Sequence, residues 1–174
     1  MGDFRAYARG DRESLVSMIR EFFEHHRSLC GREDPMEAEE AESILQRWSD
    51  RPENELLVYV DSAQPVGFVR LRKEAGVCWL EDMAVSSQRR GRGYGRQMVE
   101  ALGVHLQERG QNSIYAPVMP ANTRALEFYV GCGFTILNMV ELRKDLDGDV
   151  SSGHLCRSGG NFRLEWEACP QKTS

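Results

Sequence analysis

One stretch constrains this chain more than any other: Gln88-Arg89-Arg90-Gly91-Arg92-Gly93-Tyr94-Gly95-Arg96. It lies between an apolar run that ends at Val85 and a helical pattern that starts near Tyr94 and carries Met98, Val99, Leu102 and Leu106. Glycines at alternate positions let the backbone approach a ligand closely. The start of a helix presents N–H groups that have no partner inside the helix, together with the positive end of the helix dipole. Arg89, Arg90, Arg92 and Arg96 add charge and forked donors of the kind phosphates favour. A strand, a glycine-rich turn and a helix in that order predict an anion cradle at the turn.

Two nucleotide fingerprints fail on this stretch. Counting from Gly91 and Gly93, the third glycine of Gly-x-Gly-x-x-Gly falls on Arg96, and no Gly-Lys-[Ser/Thr] is present.

The other elements follow from hydrophobic period and turn chemistry. Phe4 to Ala8 reads as a short strand, and a helix from Asp11 carries Leu15, Ile19, Phe22 and His26 on one stripe. His25 and His26 close that helix, where they suit a surface position at the negative end of the dipole. Pro35 fits the first turn of a second helix, with Ile44, Leu45 and Trp48 inward and a break at Arg51-Pro52. Glu55–Asp61, Val66–Leu71 and Val77–Val85 form a three-strand meander, with turns at 62–65 and at Ala75-Gly76. Gly110 ends the helix after the cradle, and Ser113–Val118 is expected to run parallel to Val77–Val85. Pro117 cannot donate to a ladder, so these two strands are expected to part and leave room for a ligand. A helix over Asn122–Val130 stops at Gly131 and Gly133, an extended run covers 134–144, and a last strand covers Asn161–Trp166. The Gly/Ser-rich segment 145–160 is a long loop or flap. Asp145, Asp147 and Asp149 mimic the opening of a calcium loop, but Val150 and Cys156 stand where its glycine and glutamate belong.

The length of 174 residues suits one domain. Five scattered cysteines without a Cys-x-x-Cys pair indicate free thiols, neither a disulfide framework nor a zinc site, and no metal is expected. No apolar run is long enough to span a membrane and the N-terminus lacks signal-peptide order, so a cytoplasmic protein is expected. Net charge is −5, but residues 31–55 hold nine acids against three bases, a local −6 that leaves +1 for the rest. One acidic face beside one basic loop argues against a nucleic-acid binder. The acidic segment is either a solvated helix face or a surface that draws a cationic substrate.

The segment Gln88-x-x-Gly91-x-Gly93 resembles the cofactor motif of the GNAT superfamily of N-acetyltransferases. Asn122-x-x-Ala125-x-x-Phe128-Tyr129-x-x-x-Gly133-Phe134 resembles a second motif of that family, in the expected order about 30 residues on. The resemblance implies a single-domain α/β fold: a mixed, largely antiparallel seven-stranded sheet with about four helices, splayed between the fourth and fifth strands. Residues 1–52 would form the acceptor side, 53–144 the acetyl-CoA-binding core and 145–174 a loop, last strand and tail. It implies acetyl-CoA as donor, an amine on a small molecule or peptide as acceptor, and room for a homodimer. By the same resemblance Arg90, Gly91, Arg92, Gly93, Tyr94, Gly95 and Arg96 hold the pyrophosphate, while Met83, Ala84 and Val85 bind the pantetheine arm through their backbone. Asn122 and Ala125 contact the cofactor, and Tyr129 protonates the departing thiolate.

The chemistry sets its own demands. An amine of pKa ~10.4 is neutral in only about one molecule in ~2,500 at pH 7, so a base or a water relay must take a proton. Glu81 and Asp82, on the strand entering the cradle, are the candidates, and they face opposite ways if that strand is regular. The family favours Glu81; the other assignment for it is an acid merely bonded to a neighbouring arginine. Tyr129 is alternatively a core tyrosine and Asn122 alternatively a helix cap. Two further functions remain: a non-catalytic acyl-CoA-binding or regulatory module, and a nucleic-acid binder using Arg89 to Arg96, whose affinity would fall steeply with salt.

Overall fold

Two tight turns dictate the centre of the molecule. Ser62 and Ala63 adopt φ of 50° and 62°, and Ala75 and Gly76 adopt 50° and 80°. Consecutive left-handed residues are the two-residue hairpin geometry that matches strand twist. They link β2 (Asn54–Asp61), β3 (Gln64–Glu74) and β4 (Val77–Val85) into a meander, and β1 (Asp3–Ala6) pairs antiparallel with β2. The computed structural model describes residues 2–139, so the loop at 145–160, the strand at 161–166 and the end of the extended run lie outside the described residues.

The chain divides into two compact units, Met1–Pro117 and Val118–Ser174. In the first, the sheet order is β1-β2-β3-β4. Helices α1 (Arg12–Leu29) and α2 (Ala38–Ser49) cover one face, burying Leu15, Ile19, Ile44, Leu45 and Trp48 against Val58, Phe68 and Ala84. The alternation of strand side chains sends Gly67 to the other face, where α3 (Tyr94–Gln107) lays Met98 so close that a Cβ on Gly67 would sit 2.7 Å from the Met98 sulfur. Met98, Leu102 and Leu106 are buried, and full burial of such side chains contributes about 1.5–3 kcal/mol each. That packing fixes where α3 begins, and hence where the cradle lies.

The expected seven-stranded mixed sheet is corrected to a four-stranded antiparallel sheet among the described residues. Ser113–Val118 supplies a single parallel bridge, Trp79 to Tyr115, instead of a fifth strand. Tyr115 donates its N–H to Cys78 O at 3.1 Å and accepts from Leu80 N–H at 2.7 Å. Pro117, two residues on, has no N–H with which to continue a ladder. Beyond that bridge, among the described residues, β4 has a partner strand only on its β3 side. The second helix also starts later than expected: Glu37 is its N-cap, and Pro35 lies outside it. Arg20 Nε donates to Met36 O at 2.8 Å and Glu24 accepts from Met36 N–H at 3.1 Å, which pins the connection onto α1. No described helix is long and apolar enough to cross a membrane.

The second unit contains α4 (Thr123–Gly131) within its described residues. Asn122 caps it, its Oδ1 accepting from Ala125 N–H at 3.1 Å, and Gly133 (φ 97°) ends it.

Candidate functional site

The turn between β4 and α3 has the form an anion cradle needs. Gly91 and Gly93 take φ of 75° and 82°, values open to glycine and strained for other residues. Gly93 is the N-cap of α3, and among the described residues no side chain caps this end. Gln97 N–H is the first to bond back, to Gly93 O at 3.2 Å, so helix geometry leaves the N–H groups of Tyr94, Gly95 and Arg96 without partners inside the helix. Among the described residues nothing lies within 4 Å of a Cβ placed on Gly91. Among the described residues Arg89, Arg92 and Arg96 form no ion pair. The residues present therefore fit a pyrophosphate, by backbone donors first and guanidinium groups second.

Two side chains of the stretch are turned to other work. The Tyr94 hydroxyl donates to Asp61 Oδ2 at 2.7 Å, and that bond raises the phenol's pKa. Arg90 Nε donates to Val85 O at 3.0 Å and its Nη2 to Glu21 Oε2 at 3.2 Å. Glu21 also accepts from Ser87 N–H at 3.0 Å and from Ser87 Oγ at 2.8 Å. Neither Asp61 nor Glu21 carries a local sequence signal, because Asp61 is 33 residues from its partner and Glu21 is 66 and 69 residues from its own. The motif pattern repeats two residues on, as Arg90-x-x-Gly93-x-Gly95, and in that register its first glycine is the α3 N-cap.

The strand leading in carries the two candidate bases. β4 is not regular: Arg70 lies opposite Asp82 and Leu71 opposite Leu80, so Glu81 is the extra residue of a bulge. The condition on which the two carboxylates would face opposite ways, a regular strand, is thus not met, and Arg70 lies within ion-pair distance of both. Arg70 Nε donates to Asp82 Oδ2 at 2.5 Å, and Arg70 Nη2 lies 3.8 Å from Glu81 Oε2. Arg72 Nε donates to Glu81 Oε1 at 2.5 Å. The Asp82 side chain is 9% exposed and that of Glu81 18%. Burial raises the Asp82 pKa, and the nearby Arg70 only partly offsets that effect. Arg70 also lies over the Trp48 ring, 4.9 Å from its centroid, so the pair rests on the α1–α2 core. His26, on the same stripe as Phe22, is half-buried and packs on it with ring centroids 4.2 Å apart.

In the second unit Tyr129 is half-buried between Phe128 and Phe134, with ring centroids 5.2 and 5.1 Å away. Asn122 is buried and performs its capping role. Met83, Ala84 and Val85 end β4 and run through a 3-10 turn, Ser87–Arg89, into the cradle. The first unit thus brings the carboxylates, the strand end and the cradle into one continuous segment. Among the described residues no cluster of His, Cys, Asp and Glu is arranged to hold a metal.

The chain matches the sequence model of the Acetyltransferase (GNAT) family over residues 15–134. Solved structures share the fold at low identity. An aminoglycoside N-acetyltransferase, AAC(6')-Iy, in complex with CoA is 14% identical, with a TM-score of 0.63 over 84% of this chain and 95% of the other. An acetyltransferase from Thermus thermophilus is 22% identical, with a TM-score of 0.60 over 76% and 86%. A transcriptional regulator from Bacillus halodurans is 20% identical, with a TM-score of 0.63 over 83% and 100%. No curated protein sequence matches significantly.

Proposed function

Because the chain belongs to the acetyltransferase (GNAT) family, we propose that it acts as one N-acetyltransferase domain, moving the acetyl group of acetyl-CoA directly to an amine of a cationic acceptor. The observation that carries this is the uncapped α3 N-terminus, with Gly91 and Gly93 before it and Arg89, Arg92 and Arg96 around it, at the end of a strand that bears two carboxylates. Bound there, acetyl-CoA supplies an activated acetyl thioester.

The chain's own residues divide the remaining work. The N–H groups from Gly91 to Arg96, with the side chains of Arg92 and Arg96, hold the pyrophosphate, Arg90 shapes the same turn through its bonds to Val85 and Glu21, and backbone groups of Met83, Ala84 and Val85 hold the arm. Asn122 and Ala125 add contacts from the α4 segment. Glu81 takes the amine's proton, directly or through water; it is the more exposed of the two carboxylates, which suits exchange with water. Its hydrogen bond from Arg72 orients it. Asp82 is the second reading, favoured by its raised pKa, since a base titrating nearer neutrality accepts a proton more readily. A phenol of ordinary pKa ~10 carries its proton at pH 7, and Tyr129 is the acid for the leaving thiolate.

The test is a panel of amines incubated with acetyl-CoA, reading free thiol, with the Tyr129→Phe and Glu81→Gln variants in parallel. Turnover of at least one amine is expected, with kcat reduced at least ~10²-fold in Tyr129→Phe and its acetyl-CoA affinity and melting temperature little changed. Binding of acetyl-CoA without turnover of any amine would instead identify a non-catalytic module. A Tyr129→Phe variant with normal turnover, where chemistry limits the rate, would make Tyr129 a packing residue.

A further inference from the structure

The glycines that open the cradle to a ligand also leave it without stiffness. Gly91 and Gly93 have no Cβ to restrict the turn. Beside the segment that leads into it a cavity of about 430 Å³ opens, lined by Ser17, Met18, Glu21, Ser86, Gln88 and Arg89 among others. Side-chain anchors hold the turn at its two ends. On the far side Tyr94 is tied to Asp61, and on the near side one carboxylate, that of Glu21, accepts three hydrogen bonds from Ser87 and Arg90.

We propose that Glu21 is a positioning residue for the acetyl-CoA site, holding Ser87 and Arg90 so that the turn from Gly91 to Gly93 keeps the shape that presents the first N–H groups of α3. This rests on the acetyl-CoA reading above and deepens it. Arg90 then serves the cradle from within: its Nε on Val85 O closes the turn against the strand end, and its Nη2 on Glu21 fastens that turn to α1. Glu21 is 28% exposed and Arg90 48%, and exposed ion pairs add little stability. Their effect is therefore expected on the geometry of the turn more than on the folding of the protein. The Ser87 bonds distinguish this from a chance surface pair, because one carboxylate binds a backbone N–H, a hydroxyl and a guanidinium within four residues of chain.

The experiment compares wild type, Glu21→Ala, Glu21→Gln, Arg90→Ala and the Glu21→Ala/Arg90→Ala double variant. It measures calorimetric acetyl-CoA affinity, melting temperature, and amide hydrogen exchange over residues 86–93 without cofactor. Glu21→Ala is expected to raise Kd about 10-fold and to speed exchange at Ser87 and Arg90 by a similar factor, with the melting temperature nearly unchanged. Glu21→Gln should fall between, since its amide oxygen still accepts from Ser87 while the charge pairing with Arg90 is lost. The double variant should bind no more weakly than Arg90→Ala by more than about 2-fold, as expected of two residues acting through one contact. An unchanged or tighter Kd in Glu21→Ala would overturn the proposal. If wild type bound no acetyl-CoA, the cofactor reading itself would fail. The exchange arm would then still decide the clamp: faster exchange at Ser87 and Arg90 supports it, and unaltered exchange refutes it.

Discussion

The molecule carries two strongly charged regions, and they spend their charge in opposite ways. In the acidic segment, Glu40 and Asp34 are engaged by Arg27, Glu42 by Arg12, and Glu55 by Lys73 and Arg109. Asp50 accepts from Gln46 at 2.7 Å. Much of the segment's −6 is thus neutralised by cations of α1, of β3 and of the turn after α3, which leaves Glu33, Glu37, Glu39, Asp50 and Glu53 without ion pairs among the described residues. In the cradle the balance is reversed: Arg90 is paired with Glu21, and Arg89, Arg92 and Arg96 are not paired among the described residues. A charge run in a sequence says how much charge is present, whereas the fold decides how much is offered to a ligand.

The largest expected effect that sharpens this contrast is Gly93→Val. At φ 82° a branched residue is strained by about 1–2 kcal/mol, and relief of that strain must distort the helix start. Acetyl-CoA Kd should rise at least ~10-fold, measured by calorimetry, with a modest fall in melting temperature; an unaltered Kd would remove the backbone cradle from the account.

Next is the pH dependence of Glu55, which separates internal from external use of the acidic segment. Burial disfavours its charge, yet Lys73 and Arg109 outweigh that and hold its pKa at about 2, against an ordinary 4.5. A depressed folded-state pKa gives stability that is fully present above about 4.5 and is lost as pH falls towards about 2. With partners half exposed, this should amount to about 1–3 kcal/mol. Urea unfolding of Glu55→Gln from pH 6 to pH 2.5 should show a flatter stability profile than wild type. Equal slopes would mean that the Glu55 cluster contributes nothing to folding.

The smallest effect distinguishes paired from unpaired acids. Reversal of Glu40 and Glu42 to lysine should lower the melting temperature only slightly and leave acceptor KM almost unmoved. Reversal of Glu37 and Glu39 should raise the KM of a cationic acceptor a few-fold at low salt, an effect that fades by ~0.1 M. If the first pair moved KM as much as the second, pairing would not decide which charges act.

Features set by near neighbours were legible in the sequence. β4 and the start of α3 lie where the apolar run, the alternate glycines and the helical stripe put them. Asn122 as a cap and Gly133 as a stop were likewise visible. The failures are non-local. Pro35 suited a helix start, but Arg20 and Glu24 hold Met36 in the connection, and α2 begins only at Ala38. The bulge at Glu81 depends on register with β3, which no local pattern in β4 reveals. Glu21 and Asp61 are invisible for the same reason, their partners being brought to them by the fold.

The most direct test of the central claim, that the cradle's charge and N–H groups are held for an anionic cofactor, is an acetyl-CoA titration of wild type at several salt concentrations. Arg92→Ala/Arg96→Ala is titrated alongside. The account predicts saturable binding that weakens as salt rises, with a several-fold higher Kd and a shallower salt dependence in the variant. No binding by wild type, or a wild-type affinity matched by the variant at every salt concentration, would contradict it.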